Sequence, residues 1–228
     1  MLKILQACVE LGEKLGAEFV EARSDDLTLR TLQRTNDTWR DIILKSRAGI
    51  GVACYYGGAT GYSFTPRGNE KAFEDTVTRA VKMAKASAKA TSLKLDFSRR
   101  PAIQSSSSDT YSVKIHPRSK ELGFKIDLVN RAIESARDSG RNITNVTGRY
   151  GELYGHKLFI NSEGSLVQWD FEVVDLACSV ISKTDKGDLV YGIERAGGTK
   201  GLELYNSIES TPEEIGKKAG TRAKEQLK

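Results

Sequence analysis

Long apolar runs, paired cysteines and clustered metal ligands are all scarce in this 228-residue chain. No stretch approaches the roughly 18 uninterrupted apolar residues of a membrane span, and the opening Met1-Leu2-Lys3-Ile4-Leu5-Gln6 runs into Glu10 and Glu13 instead of a signal-peptide core. A cytoplasmic protein with no membrane partner is the expectation. The three cysteines, Cys8, Cys54 and Cys178, fit neither a disulfide framework nor a CxxC metal spacing. Each lies among apolar neighbours and reads as a reduced core residue. The two histidines, His116 and His156, stand 40 positions apart with no His, Cys or Glu at ligand spacing. A zinc site needs at least three converging protein ligands, so surface or turn roles are expected for both. HExxH, GxSxG and an Asp-rich calcium loop are all missing. The sequence thus offers no catalytic residue, no metal ligand and no cofactor of its own, and leaves the substrate-binding residues unknown.

Charge of one sign is also in short supply. The net charge of +5 is the small difference between 35 basic and 30 acidic residues interspersed along the chain. No Lys/Arg run exceeds the pairs Arg99-Arg100 and Lys217-Lys218, and aromatics do not alternate with bases as a stacking platform for nucleic acid requires. Nucleic acid is therefore disfavoured as a partner.

What is present is a set of well-punctuated periodic segments. Leu5, Cys8, Val9, Gly12 and Leu15 fall on one helical face, and Gly16 stops the segment. From Ala17 to Thr65 the pattern becomes short β-favouring runs, 19–23, 27–32, 41–44, 50–56 and 60–64. Gly57-Gly58 between the last two supplies the positive φ of a tight hairpin. A second helix follows Pro66 and Gly68, carried by Phe73, Val77, Ala80, Val81 and Ala84 and reaching Lys89. The Arg99–Ser112 stretch, with its four consecutive serines, has no periodicity and marks a boundary.

A third helix spans about 119–139 through Leu122, Ile126, Val129, Ile133 and Ala136, closed by Gly140. Strand-like runs follow at 143–151, 157–160, 165–170, 172–183 and 189–194, with Asn161-Ser162-Glu163-Gly164 as a hairpin loop. Leu202-Glu203-Leu204-Tyr205 looks extended. Thr211-Pro212-Glu213-Glu214 then opens a helix with an N-cap threonine, proline at the first position and a glutamate three residues after the cap. The chain reads as α+β, two layers of antiparallel strands flanked by amphipathic helices, with helix, strands, helix in each half. The expected units are 1–98 and 119–228, joined by a Ser-rich linker or loop at 99–118.

Several motifs invite a functional reading and lose it to a simpler one. Gly192 to Lys200 has glycines spaced like a phosphate loop, but Gly198-Thr199 stands where Lys-Ser/Thr belongs and no helix opens there. Gly49-Ile50-Gly51 is too short for a dinucleotide fingerprint. The Asn-x-Thr triplets at Asn36, Asn142 and Asn145 read as turn chemistry. Tyr55, Tyr56, Tyr62 and Phe64 around Gly57-Gly58 could form an aromatic binding surface, but cross-strand pairing within a hairpin is the favoured reading.

The order of phrases nevertheless resembles the TldD/PmbA family over essentially the entire chain. The phrases are Ala17-Glu18-Phe19-Val20-Glu21-Ala22-Arg23, Gly49-Ile50-Gly51-Val52, Thr60-Gly61-Tyr62-Ser63-Phe64-Thr65, Leu158-Phe159-Ile160-Asn161-Ser162-Glu163-Gly164 and Gly197-Gly198-Thr199-Lys200-Gly201-Leu202-Glu203-Leu204, then Pro212-Glu213-Glu214. The Gly61-Tyr62-Ser63-Phe64-Thr65 phrase leans toward the TldD-like branch. The resemblance implies a cytoplasmic zinc metallopeptidase that cleaves unfolded peptides as a homo- or heterodimer of TldD/TldE-like subunits. It also implies that the HExxxH zinc helix and its distal cysteine belong to a carboxy-terminal region beyond these residues, so no catalytic or zinc residue carries over. This chain is then expected to be the amino-terminal, non-catalytic part, contributing assembly and substrate admission. The alternatives are a standalone regulatory partner of a complete paralogue and, further off, a DNA-associated modulator. A low-charge strand edge in Glu172–Ser182 is an expected place for strand addition by substrate.

Overall fold

The computed structural model of the chain describes residues 1–66, 69–92, 95, 102–106 and 113–227. Its helices are α1 (Leu2–Lys14), α2 (Glu70–Ala88), α3 (Leu122–Ser139) and α4 (Pro212–Glu225). Its strands are β1 (Phe19–Thr35), β2 (Thr38–Tyr56), β3 (Ala59–Pro66), β4 (Gln104–Ser106), β5 (Ile143–Asn161), β6 (Leu166–Lys183) and β7 (Leu189–Gly198). The hydrogen-bonded order is β3-β2-β1-β5-β6-β4, with β7 also on β6. The class is α+β. None of the described helices is long and apolar enough to cross a membrane.

The strands are longer than the runs that announced them. Two expected runs merge into β1 and two into β2, because Ser24-Asp25-Asp26 and Lys45-Ser46-Arg47, polar and mostly exposed, stay extended instead of turning. A polar residue costs little on a solvent-facing strand position, so polarity alone does not end a strand. Most of 99–112 lies outside the described residues. Within the expected linker, Gln104–Ser106 pairs in parallel with Leu166–Gln168, and Pro117–Ser119 forms a single 3-10 turn.

The chain divides into two compact units, each collecting three stretches: 1–27, 46–110 and 155–170 in the first, and 28–45, 111–154 and 171–228 in the second. In the first unit, Leu5, Cys8 and Val9 of α1 and Val77, Ala80 and Ala84 of α2 form a core with Val20, Ala22, Ile50, Val52, Cys54, Leu158 and Ile160 from the strands. Each of the leucines, valines and isoleucines among them, taken fully out of water, contributes roughly 1.5–3 kcal/mol before entropy is counted. The β2–β3 hairpin closes at Tyr56↔Ala59 around Gly57 and Gly58, with φ of 56° and 78°. Both values are the left-handed conformation that a two-residue turn of matching twist needs.

In the second unit, α3 and α4 lie over β5 and β6, burying Leu128, Val129, Ala132, Ile133 and Ala136 with Ile215, Ala219 and Ala223 against Val146, Tyr150, Leu176 and Val180. Helix α4 starts as its sequence announces, the Thr211 hydroxyl accepting from the Glu214 N–H at 3.2 Å. Leu202-Glu203-Leu204-Tyr205 is not extended but lies in a 3-10 turn, Leu202–Asn206. The cause is Glu203, whose carboxylate accepts from the N–H of Ile115 at 2.9 Å and of Gly201 at 3.2 Å and so curls the segment back on itself.

Candidate functional site

The candidate metal ligands stay apart. In the second unit, His116 Nδ1 lies 2.7 Å from Glu172 Oε1, and in the first, His156 Nδ1 lies 2.9 Å from Asp170 Oδ1. Each is a one-to-one pair that orients a ring. Among the described residues, no three His, Cys, Asp or Glu side chains come within reach of one ion. The donor set here does not fit zinc, which needs three protein ligands even in an open catalytic site. The cysteines are buried and free. Burial pushes Cys8 up to about 11, Cys54 to about 12 and Cys178 to about 12, so none is the thiolate that metal binding or nucleophilic attack requires.

The glycine-rich Gly192–Lys200 segment serves packing. Its first part is β7, and a Cβ on Gly192 would sit 2.2 Å from the Ala219 carbonyl oxygen of α4. Asn36 and Asn142 both have a φ of 51°, the left-handed turn position that asparagine tolerates, and Asn36 Oδ1 accepts from the Val146 N–H at 2.9 Å. In the Asn161–Gly164 loop, Asn161 Oδ1 accepts from the N–H groups of Glu163 and Ser165, and the Ser162 hydroxyl accepts from the Val20 N–H. The edge expected in Glu172–Ser182 is not an edge, because β6 is flanked by β5 and by β7, whose pairing runs from Val174 to Lys183.

One polar cluster is buried except for the edge of Arg30. Glu152 Oε1 accepts from Lys125 Nζ at 2.7 Å and from Arg30 Nε at 3.0 Å, and Glu152 Oε2 accepts from the Tyr150 hydroxyl at 2.7 Å. Burial pulls the Lys125 ammonium below its usual value and pushes the Tyr150 phenol up. With Lys125 and Glu152 only 1% and 2% exposed, a substrate cannot reach them, and the cluster is structural.

The first unit presents a more promising surface. The aromatics expected to pair across the hairpin do not: Tyr62 stands opposite Ala53, Phe64 opposite Gly51 and Tyr55 opposite Thr60. Instead, Tyr62 and Phe64 lean along β2 over bare glycine backbone. A Cβ on Gly51 would lie 2.5 Å from the Tyr62 hydroxyl, and one on Gly49 would lie 2.6 Å from the Phe64 ring. Both rings stay more than half exposed, at 56% and 55%. They border a cleft of about 520 Å3 whose other lining residues include Arg23 and Asp25 of β1, Lys157 and Phe159 of β5, and Val167 and Trp169 of β6. Arg23 stacks over Phe159 at 5.2 Å and pairs with Glu21 at 2.9 Å, while Lys157 Nζ lies 3.8 Å from Asp25. Sequence reasoning found Tyr62, Phe64 and the two glycines but missed the remaining residues. The local signal at Arg23, Asp25, Lys157 and Phe159 was a buried neighbour along the strand, as Ala22 and Ser24 are for Arg23, while Val167 and Trp169 lack even that.

Comparison with known proteins places these features in context. Residues 115–227 match the family model described as the PmbA/TldA metallopeptidase central domain. Metalloprotease MJ0996 of Methanocaldococcus jannaschii is 25% identical over 152 residues, which are 66% of this chain and 32% of that protein. Among solved structures, a protein of Thermotoga maritima named for modulation of DNA gyrase superposes with a TM-score of 0.74 at 17% identity, over 97% of this chain and 47% of its own. A Bacteroides thetaiotaomicron protein named likewise gives 0.76 at 16%, over 97% and 49%. TldE from Thermococcus kodakarensis gives 0.70 at 14%, over 95% and 47%. The chain therefore spans about a third of the curated relative and about half of each solved structure.

Proposed function

Because this chain belongs to the TldD/PmbA family, whose central domain occupies residues 115–227, we propose that it is a non-catalytic part of a metallopeptidase subunit acting on unfolded peptides. Its contribution is assembly and substrate admission in the cytoplasm, within a homo- or heterodimer of TldD/TldE-like subunits. Peptide-bond hydrolysis would require a zinc ion to activate water and a carboxylate to take its proton. The observation carrying the proposal is that a metallopeptidase domain match coincides with described residues that assemble no such donor set. The chemistry accordingly belongs to residues other than these.

The test measures zinc content and hydrolysis of casein by the 228-residue chain, alone and mixed with a complete TldD/PmbA-type subunit. Alone, the chain is expected to be metal-free and inactive, and in the mixture to associate with the complete subunit and shift its KM for unfolded substrate. Stoichiometric zinc together with cleavage by the short chain alone would overturn the reading.

A further inference from the structure

Resting on that reading, we infer that the cleft on the first unit is itself a binding site for an extended, uncharged stretch of peptide bearing aromatic or branched aliphatic side chains. Four rings, Tyr62, Phe64, Phe159 and Trp169, and the side chain of Val167 converge on it from three strands. At about 520 Å3 the cleft falls in the range of roughly 300–1,000 Å3 typical of sites for small ligands, enough for bulky side chains of a bound segment. Gly49 and Gly51 leave β2 without side chains on this face, which lets Tyr62 and Phe64 lie low along it.

Charge decides the class of occupant. The two cations that line the cleft each have a carboxylate partner, Arg23 with Glu21 just outside it and Lys157 with Asp25 within it, so neither offers an uncompensated positive charge. A nucleic-acid strand gains affinity mainly from the counterions set free when unpaired Lys and Arg side chains neutralise its phosphates, and a neutral surface gives it little. A neutral peptide meets what its own groups require: guanidinium and ammonium donors for its carbonyls, the Asp25 acceptor for its amides, and rings for the side chains between them.

The test is a fluorescence titration of the complete 228-residue chain carrying Trp39→Phe, which leaves Trp169 as the sole tryptophan reporter. The probes are a capped Gly-Phe-Gly-Leu-Gly peptide, its Gly-Ala-Gly-Ala-Gly counterpart and a thymidine decanucleotide. A saturable change is expected with the first alone, weakened about tenfold in the Tyr62→Ala/Phe64→Ala variant, as loss of anchoring rings at a binding surface gives. Both positions are exposed, so the urea midpoint should hold. If it does not, Phe64→Ala alone decides. No saturable response at millimolar peptide, equal affinity for the alanine peptide, or indifference to the ring deletions would each sink the inference. Tighter binding of the decanucleotide would assign the face to nucleic acid. Concentration-dependent self-association abolished by the same deletions would assign it to a second copy of the chain. Since no hydrolysis is read, failure here leaves the metallopeptidase proposal standing, and failure of that proposal leaves this result intact.

Discussion

Lys125 and Glu152 form an ion pair with no access to solvent, Nζ to Oε1 at 2.7 Å, held between α3 and β5. Removing one partner strands the other's charge, which typically costs about 3–5 kcal/mol, whereas removing both costs much less. Glu152→Leu is therefore expected to lower unfolding free energy by about that amount, and Lys125→Met/Glu152→Leu to recover part of it, the recovery limited by Arg30 and Tyr150, which also bond Glu152. Urea titrations of the two single variants and the double variant give the coupling. The pair also predicts a pH slope. Burial holds the folded Lys125 below the ordinary 10.5, opposed by its bond to Glu152. A base with a lowered folded pKa binds fewer protons folded than unfolded. Stability should rise with pH through the window between that lowered value and 10.5, and Lys125→Met should flatten the rise.

A slope of the same sign is expected at the acid end from Glu213. Arg131 holds it by a two-pronged contact, Nε to Oε1 at 2.5 Å and Nη2 to Oε2 at 2.9 Å. That bond is the main reason the carboxyl lies below its usual 4.5. A lowered acid contributes stability that is present above 4.5 and drains away as pH falls through the folded value. Since both side chains are well exposed, screening limits the effect to less than about 1 kcal/mol. Glu213→Gln should reduce the acid sensitivity of the urea midpoint, and molar salt should shrink the difference between the variant and the parent.

How much of this was legible in the sequence depended on how local the cause was. The α4 start was readable because Thr211, Pro212 and Glu214 act within one turn, and the β2–β3 turn because Gly57 and Gly58 carry their own conformational freedom. The 3-10 turn at Leu202–Asn206 was not, because what curls it is the bond from Ile115, 88 positions away in sequence from Glu203. The aromatic cleft was invisible for the same reason: Tyr62 and Trp169 share a face only once the order β3-β2-β1-β5-β6 is known. Lys125 did leave a trace, a charged residue at a helix position flanked by Leu128 and Val129, both in the buried stripe. A lysine in an apolar stripe asks for a buried partner, but nothing local names Glu152.

The cysteines give a direct check on core integrity. With Cys8, Cys54 and Cys178 buried and their thiols pushed up to about 11, 12 and 12, a disulfide reagent at pH 8 should label none in the native chain. It should label all three in urea. Native labelling should follow the opening of the fold and not thiolate chemistry, so its rate should fall in stabilised variants. Prompt labelling of any one thiol would mean that its part of the core opens locally.

Two glycines in helices should respond to alanine with opposite signs. In a free helix surface, Gly→Ala stabilises by up to about 1 kcal/mol, because alanine loses less backbone entropy. Gly123, near the start of α3, has nothing within 4 Å of an added Cβ, so Gly123→Ala should follow that rule. Gly216 of α4 is different: its added Cβ would lie 2.0 Å from the Ala132 carbonyl oxygen of α3, far inside any tolerable contact with backbone. Relief requires α3 and α4 to part, and they share a seam of small residues that also includes Ala136 and Gly220, whose Cβ would lie 2.5 Å from the Ala136 carbonyl oxygen. Overpacking of this kind typically costs about 1–3 kcal/mol, enough to outweigh the helix-propensity gain. Gly216→Ala should therefore lower the melting temperature while Gly123→Ala raises it. If both variants were stabilised, the close approach of α3 and α4 at Ala132 would be wrong, and with it the packing of the second unit.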